Sequence, residues 1–142
     1  MLDTRFYADK VRKKYKTRNP YDIADDMSIL IHYMDLGKST RGLCHHKKRI
    51  KQIFLHEDLK EWEERFVLAH EIGHLVMHPN HNAPFLQTTF FSRSRYEIEA
   101  NKFAAELIIS DTDLRGYRDY TISQIAGIYG LPVEIIELRL KY

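Results

Sequence analysis

The sequence predicts an α+β fold that is mostly helical, with a small antiparallel three-stranded sheet and a C-terminal helical segment. Three observations carry this. Two long stretches, about 59–78 and 94–109, place apolar residues at helical spacing. Between 28 and 55 the chain turns β-branched and aromatic, with short basic and Gly-containing breaks. From 111 onward three shorter helical patterns follow one another. Residues 1–110 are expected to form the main domain, with 111–142 packed on it as a helical tail.

Each element has its own signal. Residues from about Leu2 to Thr17 read as an amphipathic helix with Phe6, Val11 and Tyr15 toward the core. Asn19-Pro20 is a helix start, a capping Asn with Pro at the first helical position, so a short helix should run from Tyr21 to about Met27. Ser28–Tyr33, Arg41–His46 and Arg49–Leu55 read as strands, the last two joined by a turn at Lys47-Lys48. The helix over 59–78 is stopped by Pro79 and the turn-forming residues up to Pro84. Residues 85–93 read as a loop or irregular strand. The helix over 94–109 should turn Ile98, Ala100, Phe103, Ala104 and Leu107 inward. Helices near 112–117, 122–129 and 133–141 complete the chain, with Ile125, Val133, Ile136 and Leu140 facing the core.

Composition excludes several classes. With 44% hydrophobic and 30% charged residues the chain is globular rather than disordered. No apolar run approaches the roughly 18 residues that span a bilayer, and the first ten residues lack a signal peptide's apolar core. Cys44 is the only cysteine, which removes an internal disulfide and points to the cytoplasm. A net charge of +2 does not argue for nucleic acid. The basic clusters at Lys10–Arg18 and Lys47–Lys51 read as solvated faces.

The chemistry concentrates in His70-Glu71-Ile72-Gly73-His74, an H-E-x-x-H run inside an apolar stretch from Phe66 to His78. With 8 histidines in 142 residues, chance supplies about 0.03 such matches. On a helix, residues four apart lie about 40° from one another and one turn along the same face. Two imidazoles so placed can grip one metal ion, and Glu71 beside them can act on a water held there. Solvated histidines on a surface helix would not interrupt an apolar run, where polar groups need partners.

A catalytic zinc site ordinarily has three protein ligands and an open position. His78, His81, Glu97 and Glu99 are the nearby candidates for the third. The metzincin spacing would place Gly at 77 and His at 80, where this chain has Met77 and Asn80. His78 lies about 80° round the helix from His70 and about 12 Å along it, too far to share an ion, and is better read as ending the helix. Glu97 and Asn101, four apart, share a helical face; Glu97 could bind the ion while Asn101 hydrogen-bonds a histidine ligand from behind. Glu99 points about 200° away from Glu97, so only one of the two can face the metal. Ser94-Arg95-Tyr96-Glu97 also reads as a capping box, which leaves Glu97 with two competing roles.

Ala69-His70-Glu71-Ile72-Gly73-His74, followed by Glu97-Ile98-Glu99-Ala100-Asn101-Lys102-Phe103-Ala104, resembles the ImmA/IrrE family of metallo-endopeptidases. Asn19–Ala24, Arg41-Gly42 with Ile50–Leu55, and Ile125–Val133 resemble that family's helix start, small sheet and C-terminal helices. The resemblance implies a zincin-like domain with a thermolysin-like Zn2+ site: His70, His74 and Glu97 as ligands, Glu71 as general base and Asn101 behind a ligand. It also implies a substrate class, a Cro- or cI-like repressor of a phage or mobile element. The family often has Pro after the apolar end of the Glu-bearing helix; here Leu107-Ile108-Ile109 is followed by Ser110-Asp111.

Within this reading Tyr96, His81 and Arg93 are candidates to stabilise the oxyanion, and the strand Arg49–Leu55 could be an open edge that pairs with a peptide. The alternative is a metal-binding regulator that inactivates its repressor without cutting it. A third reading, a DNA-binding tail, is poor because its last helix carries Glu134 and Glu137 against Arg139 and Lys141. Neither direct nucleic-acid contact nor a membrane is expected.

Overall fold

A computed structural model describes residues 1–79 and 94–141. The element order is α1 (Thr4–Tyr15), α2 (Pro20–Asp26), β1 (Leu30–Met34), β2 (Gly42–Lys47), β3 (Ile50–His56), α3 (Glu61–Met77), α4 (Arg95–Ile108), α5 (Asp111–Gly116), α6 (Ile122–Tyr129) and α7 (Val133–Lys141). The fold is α+β. His81, Arg93 and the expected irregular stretch 85–93 lie outside the described residues.

Local chemistry accounts for the element boundaries. Asp3 caps α1 by accepting from the Phe6 N–H, and Asn19 caps α2 from the Tyr21 N–H with Pro20 at its first position. The first turn of α3 carries Glu61, Glu63 and Glu64 at the positive end of its dipole. Thr121 and Gln124 form a reciprocal capping box on α6, and Gly130 ends that helix at φ 65°, the left-handed conformation that glycine adopts without strain.

The sheet is mixed, not antiparallel throughout. Its order is β1-β3-β2, with β1 parallel to β3 and β2 antiparallel to it. Lys48 and Arg49, both at positive φ, make the two-residue hairpin turn between Lys47 and Ile50, one residue beyond the expected turn. Residues 35–41 carry the chain from the end of β1 to the start of β2, so the hairpin leaves the far edge of β3 for β1. His56 fastens this connection: its Nε2 lies 3.0 Å from the Gly37 carbonyl and its N–H donates to Arg41. β3 is therefore the central strand, bonded on both sides, and cannot be the open edge expected for 49–55.

α3 is the centre of the molecule. From Phe66 to Leu75 every residue is buried, so no face of this stretch meets solvent and its polar side chains must find partners inside. It packs on α4 and on the sheet through β2 and β3. Ala8 and Val11 turn α1 inward, whereas Phe6 is 57% exposed; the 100° period puts Phe6 about 140° from Val11, off the buried stripe. Thr4 Oγ1 donates to Glu106 at 3.0 Å, and Arg18 donates to the carbonyls of Glu106 and Leu107, so α1 and its outgoing segment tie down the end of α4.

The tail is held by its apolar face and by arginines, among them Arg65 of α3, which donates to the Tyr129 carbonyl at 3.1 Å. Ile125, Ala126, Leu131, Ile135 and Ile136 enter the core, and Leu140, at 49% exposure, does not. Buried Arg139 donates to the Ile109 carbonyl at 3.0 Å and pairs with Asp111, which also pairs with Arg5. Among the described residues no helix is long and apolar enough to cross a membrane.

Candidate metal centre

Two helices supply the centre. α3 contributes His70, Glu71 and His74 from the middle of its buried stretch, and α4 contributes Glu97 in its first turn. Ligand-type atoms of His70, Glu71 and His74 lie within 4.8 Å of one another. The Nε2 atoms of His70 and His74 are 3.1 Å apart. Glu97 reaches both, with Oε2 3.2 Å from His70 Nε2 and Oε1 2.6 Å from His74 Nε2. Ser94 stands at the N-cap of α4 without a side-chain capping bond. Of the two roles open to Glu97, the geometry shows the carboxylate on the histidines.

The outer ring nitrogens are also engaged. His70 Nδ1 lies 2.7 Å from Asn101 Oδ1; an amide oxygen only accepts, so Nδ1 carries the proton and Nε2 presents a lone pair to the centre. His74 Nδ1 lies 3.1 Å from His78 Nδ1, and His78 Nε2 lies 3.0 Å from Glu99 Oε1. Glu99 Oε2 in turn accepts the Leu2 N–H.

These residues fit a divalent cation. If both Nε2 atoms are bare, two lone pairs and a carboxylate meet among buried side chains: His70 is 0%, His74 1% and Glu97 5% exposed. Neither Glu97 oxygen receives an aligned hydrogen bond, although both touch ring nitrogens. Such an arrangement is repulsive unless a proton or a cation lies between the donors. Tetrahedral zinc with nitrogen ligands at about 2.0–2.1 Å has donor–donor edges of about 3.3 Å; the 3.1 and 3.2 Å separations are close to this, and the 2.6 Å contact is tighter. Two imidazoles and one carboxylate are a donor set that suits zinc.

Electrostatics point the same way. Burial opposes ionisation of Glu97, but the His70 and His74 rings outweigh it and bring the carboxyl down to about 2. Burial lowers His74 to about 4, opposed by Glu97. Burial would also lower His70, but Glu97 and the neighbouring Glu71 outweigh it and raise it. The centre is thus an ionised carboxylate facing two imidazoles, a seat for positive charge.

Glu71 is fully buried and follows His70 in sequence, but it is Glu97 that contacts both Nε2 atoms. Gly42 lets β2 come down onto it: a Cβ at Gly42 would stand 3.5 Å from Glu71 Cγ. Cys44, also on β2, is kept a thiol by burial first and by Glu71 and Glu97 after it. Tyr96, one of the oxyanion candidates, packs its ring edge-on against His78 at 4.8 Å.

The pairing of His78 with Glu99 was not anticipated from the sequence. His78 does end α3, its N–H donating to the His74 carbonyl, but its ring serves His74 and Glu99 rather than free carbonyls. Glu99 faces away from the ligand nitrogens, as the helical spacing requires, yet is 1% exposed. The available signal was the repeat of histidines at 70, 74 and 78 beside a second glutamate on the partner helix.

Residues 24–141 match the family described as IrrE N-terminal-like domain, a peptidase family. The chain is 38% identical over 130 residues to "Uncharacterized immunity region protein 2" of Bacillus phage phi105, covering 89% of this chain and 82% of that protein. It is 31% identical over 136 residues to "Metallopeptidase ImmA" of Bacillus subtilis (strain 168), covering 92% and 80%.

Proposed function

The chain belongs to the IrrE N-terminal-like domain family of peptidases, and from that premise we propose that it is a cytoplasmic zinc endopeptidase that hydrolyses a peptide bond in a Cro- or cI-like repressor of a phage or mobile element. The observation that carries this is the reach of Glu97, which brings both carboxylate oxygens against the Nε2 atoms of His70 and His74 from the next helix. In this reading His70, His74 and Glu97 hold the ion.

Held by His70, His74 and Glu97, a zinc ion would supply Lewis acidity, the property that brings the pKa of a water to about 7. Glu71 is the general base: it takes the proton of the attacking water on its carboxylate and returns it to the leaving amine nitrogen. Asn101 keeps the His70 ring in the tautomer with Nε2 bare. β2 lies over Glu71 and, among the described residues, is paired only with β3; we place the extended substrate along its other edge, bonded through the main chain.

The immunity-region name of the phage relative supports a repressor-related protein as the partner. The test is to incubate the zinc-loaded chain with a candidate Cro- or cI-like repressor, with and without a chelator, and to follow the repressor by mass spectrometry and by operator binding. Two fragments, absent with chelator, are expected. Loss of operator binding with the repressor intact would transfer the reading to a regulator that inactivates by binding alone.

A further inference from the structure

We propose that His78 and Glu99 are positioning residues for the metal: a buried relay, His74 to His78 to Glu99, that holds His74 with its Nε2 bare toward the ion and thereby sets how tightly the centre binds it. This rests on the reading of His70, His74 and Glu97 as ligands.

Proton bookkeeping gives the relay its direction. Glu99 Oε2 already accepts the Leu2 N–H, and Glu99 is 1% exposed. Against an ionised carboxylate oxygen at 3.0 Å, His78 Nε2 must bring a hydrogen. A neutral His78 then has a bare Nδ1, which accepts the Nδ1–H of His74 across 3.1 Å. The remaining nitrogen of His74, Nε2, is left with a lone pair aimed at His70 Nε2 and Glu97. A reversed relay would set a bare His78 nitrogen against a carboxylate oxygen, lone pair to lone pair. The Tyr96 ring, edge-on to His78 at 4.8 Å, keeps the imidazole from turning away.

The two ligand histidines are therefore supported differently. His70 leans on one neutral amide, Asn101. His74 leans on a second imidazole backed by a carboxylate, and an anion behind a ligand raises that ligand's basicity. Disturbing the relay should loosen the ion through His74 alone and leave the other two ligands in place.

The experiment compares His78→Asn, His78→Gln and His78→Leu by zinc affinity (competition with a chromogenic chelator), the visible absorption of the cobalt-substituted chain, and thermal unfolding of the metal-free chain. Asn places an amide oxygen where the ring Nδ1 stands and can still accept from His74. Gln extends toward Glu99 and leaves His74 Nδ1 without that acceptor, and Leu supplies neither. The Leu and Gln variants should lose about 10–100-fold in affinity with a shifted cobalt band, and the Asn variant should recover most of both. Wild-type affinity and cobalt spectrum in the Gln or Leu variant, or an Asn variant no better than Gln, would overturn the relay. A wild-type chain that binds neither ion would fail one step earlier, at the ligand set, and would take the relay with it.

Discussion

Gly73 lies directly against Phe103: a Cβ at Gly73 would stand 2.8 Å from Phe103 Cδ1 and 3.4 Å from its Cβ. Both residues are buried, one on the histidine-bearing helix and the other on the helix that carries Glu97. The missing side chain lets α3 and α4 approach closely enough for Glu97 to reach His70 and His74. The small residue between the two histidines is thus part of the metal geometry.

Gly73→Ala tests this. Alanine gains about 1 kcal/mol in helix propensity, but overpacking a full core costs about 1–3 kcal/mol, and the Phe103 ring has nowhere to go. A net destabilisation of about 1 kcal/mol is expected by urea unfolding, with zinc affinity falling further than stability because the helix spacing changes. An unchanged zinc affinity would show that the close approach does not set the centre.

Gly42→Ala should act through β2. The added methyl would meet Val67 Cγ1 at 2.5 Å and the Phe54 carbonyl at 3.3 Å. The backbone oxygen cannot yield and Val67 is buried, so β2 must lift from α3 beside Glu71. The expected outcome is a loss of about 1–3 kcal/mol in stability and lower peptidase activity with zinc content intact, read by thermal unfolding, cleavage rate and metal analysis on one preparation.

Most helices were legible in the sequence because their signals are local. Asn19-Pro20, Thr121 with Gln124, and Gly130 announce ends through groups a few residues apart, and α6 and α7 fall where the pattern placed them. Strand direction is not local. The β1 pattern specifies a strand but not which edge of β3 it joins, so the sheet was expected antiparallel and proved mixed. The same divide runs through the centre. His70, Glu71 and His74 are one local pattern, whereas Glu97 was caught between a cap and a ligand because S-x-x-E is a local signal and a shared ion is not. His78 with Glu99 could be paired only once α3 and α4 were packed.

The tail clasp should respond to acid in a definite direction. The Arg139 hydrogen bond, against partial burial and with help from the charges of Arg139, Arg5 and Arg115, holds Asp111 below its usual range. A folded pKa below the unfolded value, about 3.9, means the contribution is full above that value and fades as pH falls through the folded one. Asp111 is 41% exposed on its side chain, so less than about 1 kcal/mol is at stake. Wild type should exceed Asp111→Asn by that margin at pH 7, with the gap closing toward pH 3 in urea unfolding; a gap that widens in acid would reverse the assignment.

Glu71→Gln separates holding the ion from using it. Glutamine has the size of glutamate, and Glu71 is not among the three residues that we propose hold the ion, so zinc content should stay near one per chain. The amide cannot take a proton from water, and cleavage of the cognate repressor should fall by about 10²–10⁴-fold. Metal analysis, thermal unfolding and cleavage on the same protein decide the matter. Zinc retained with cleavage lost assigns Glu71 to the proton; cleavage at the parental rate would move the base to another residue, and loss of zinc would make Glu71 a ligand.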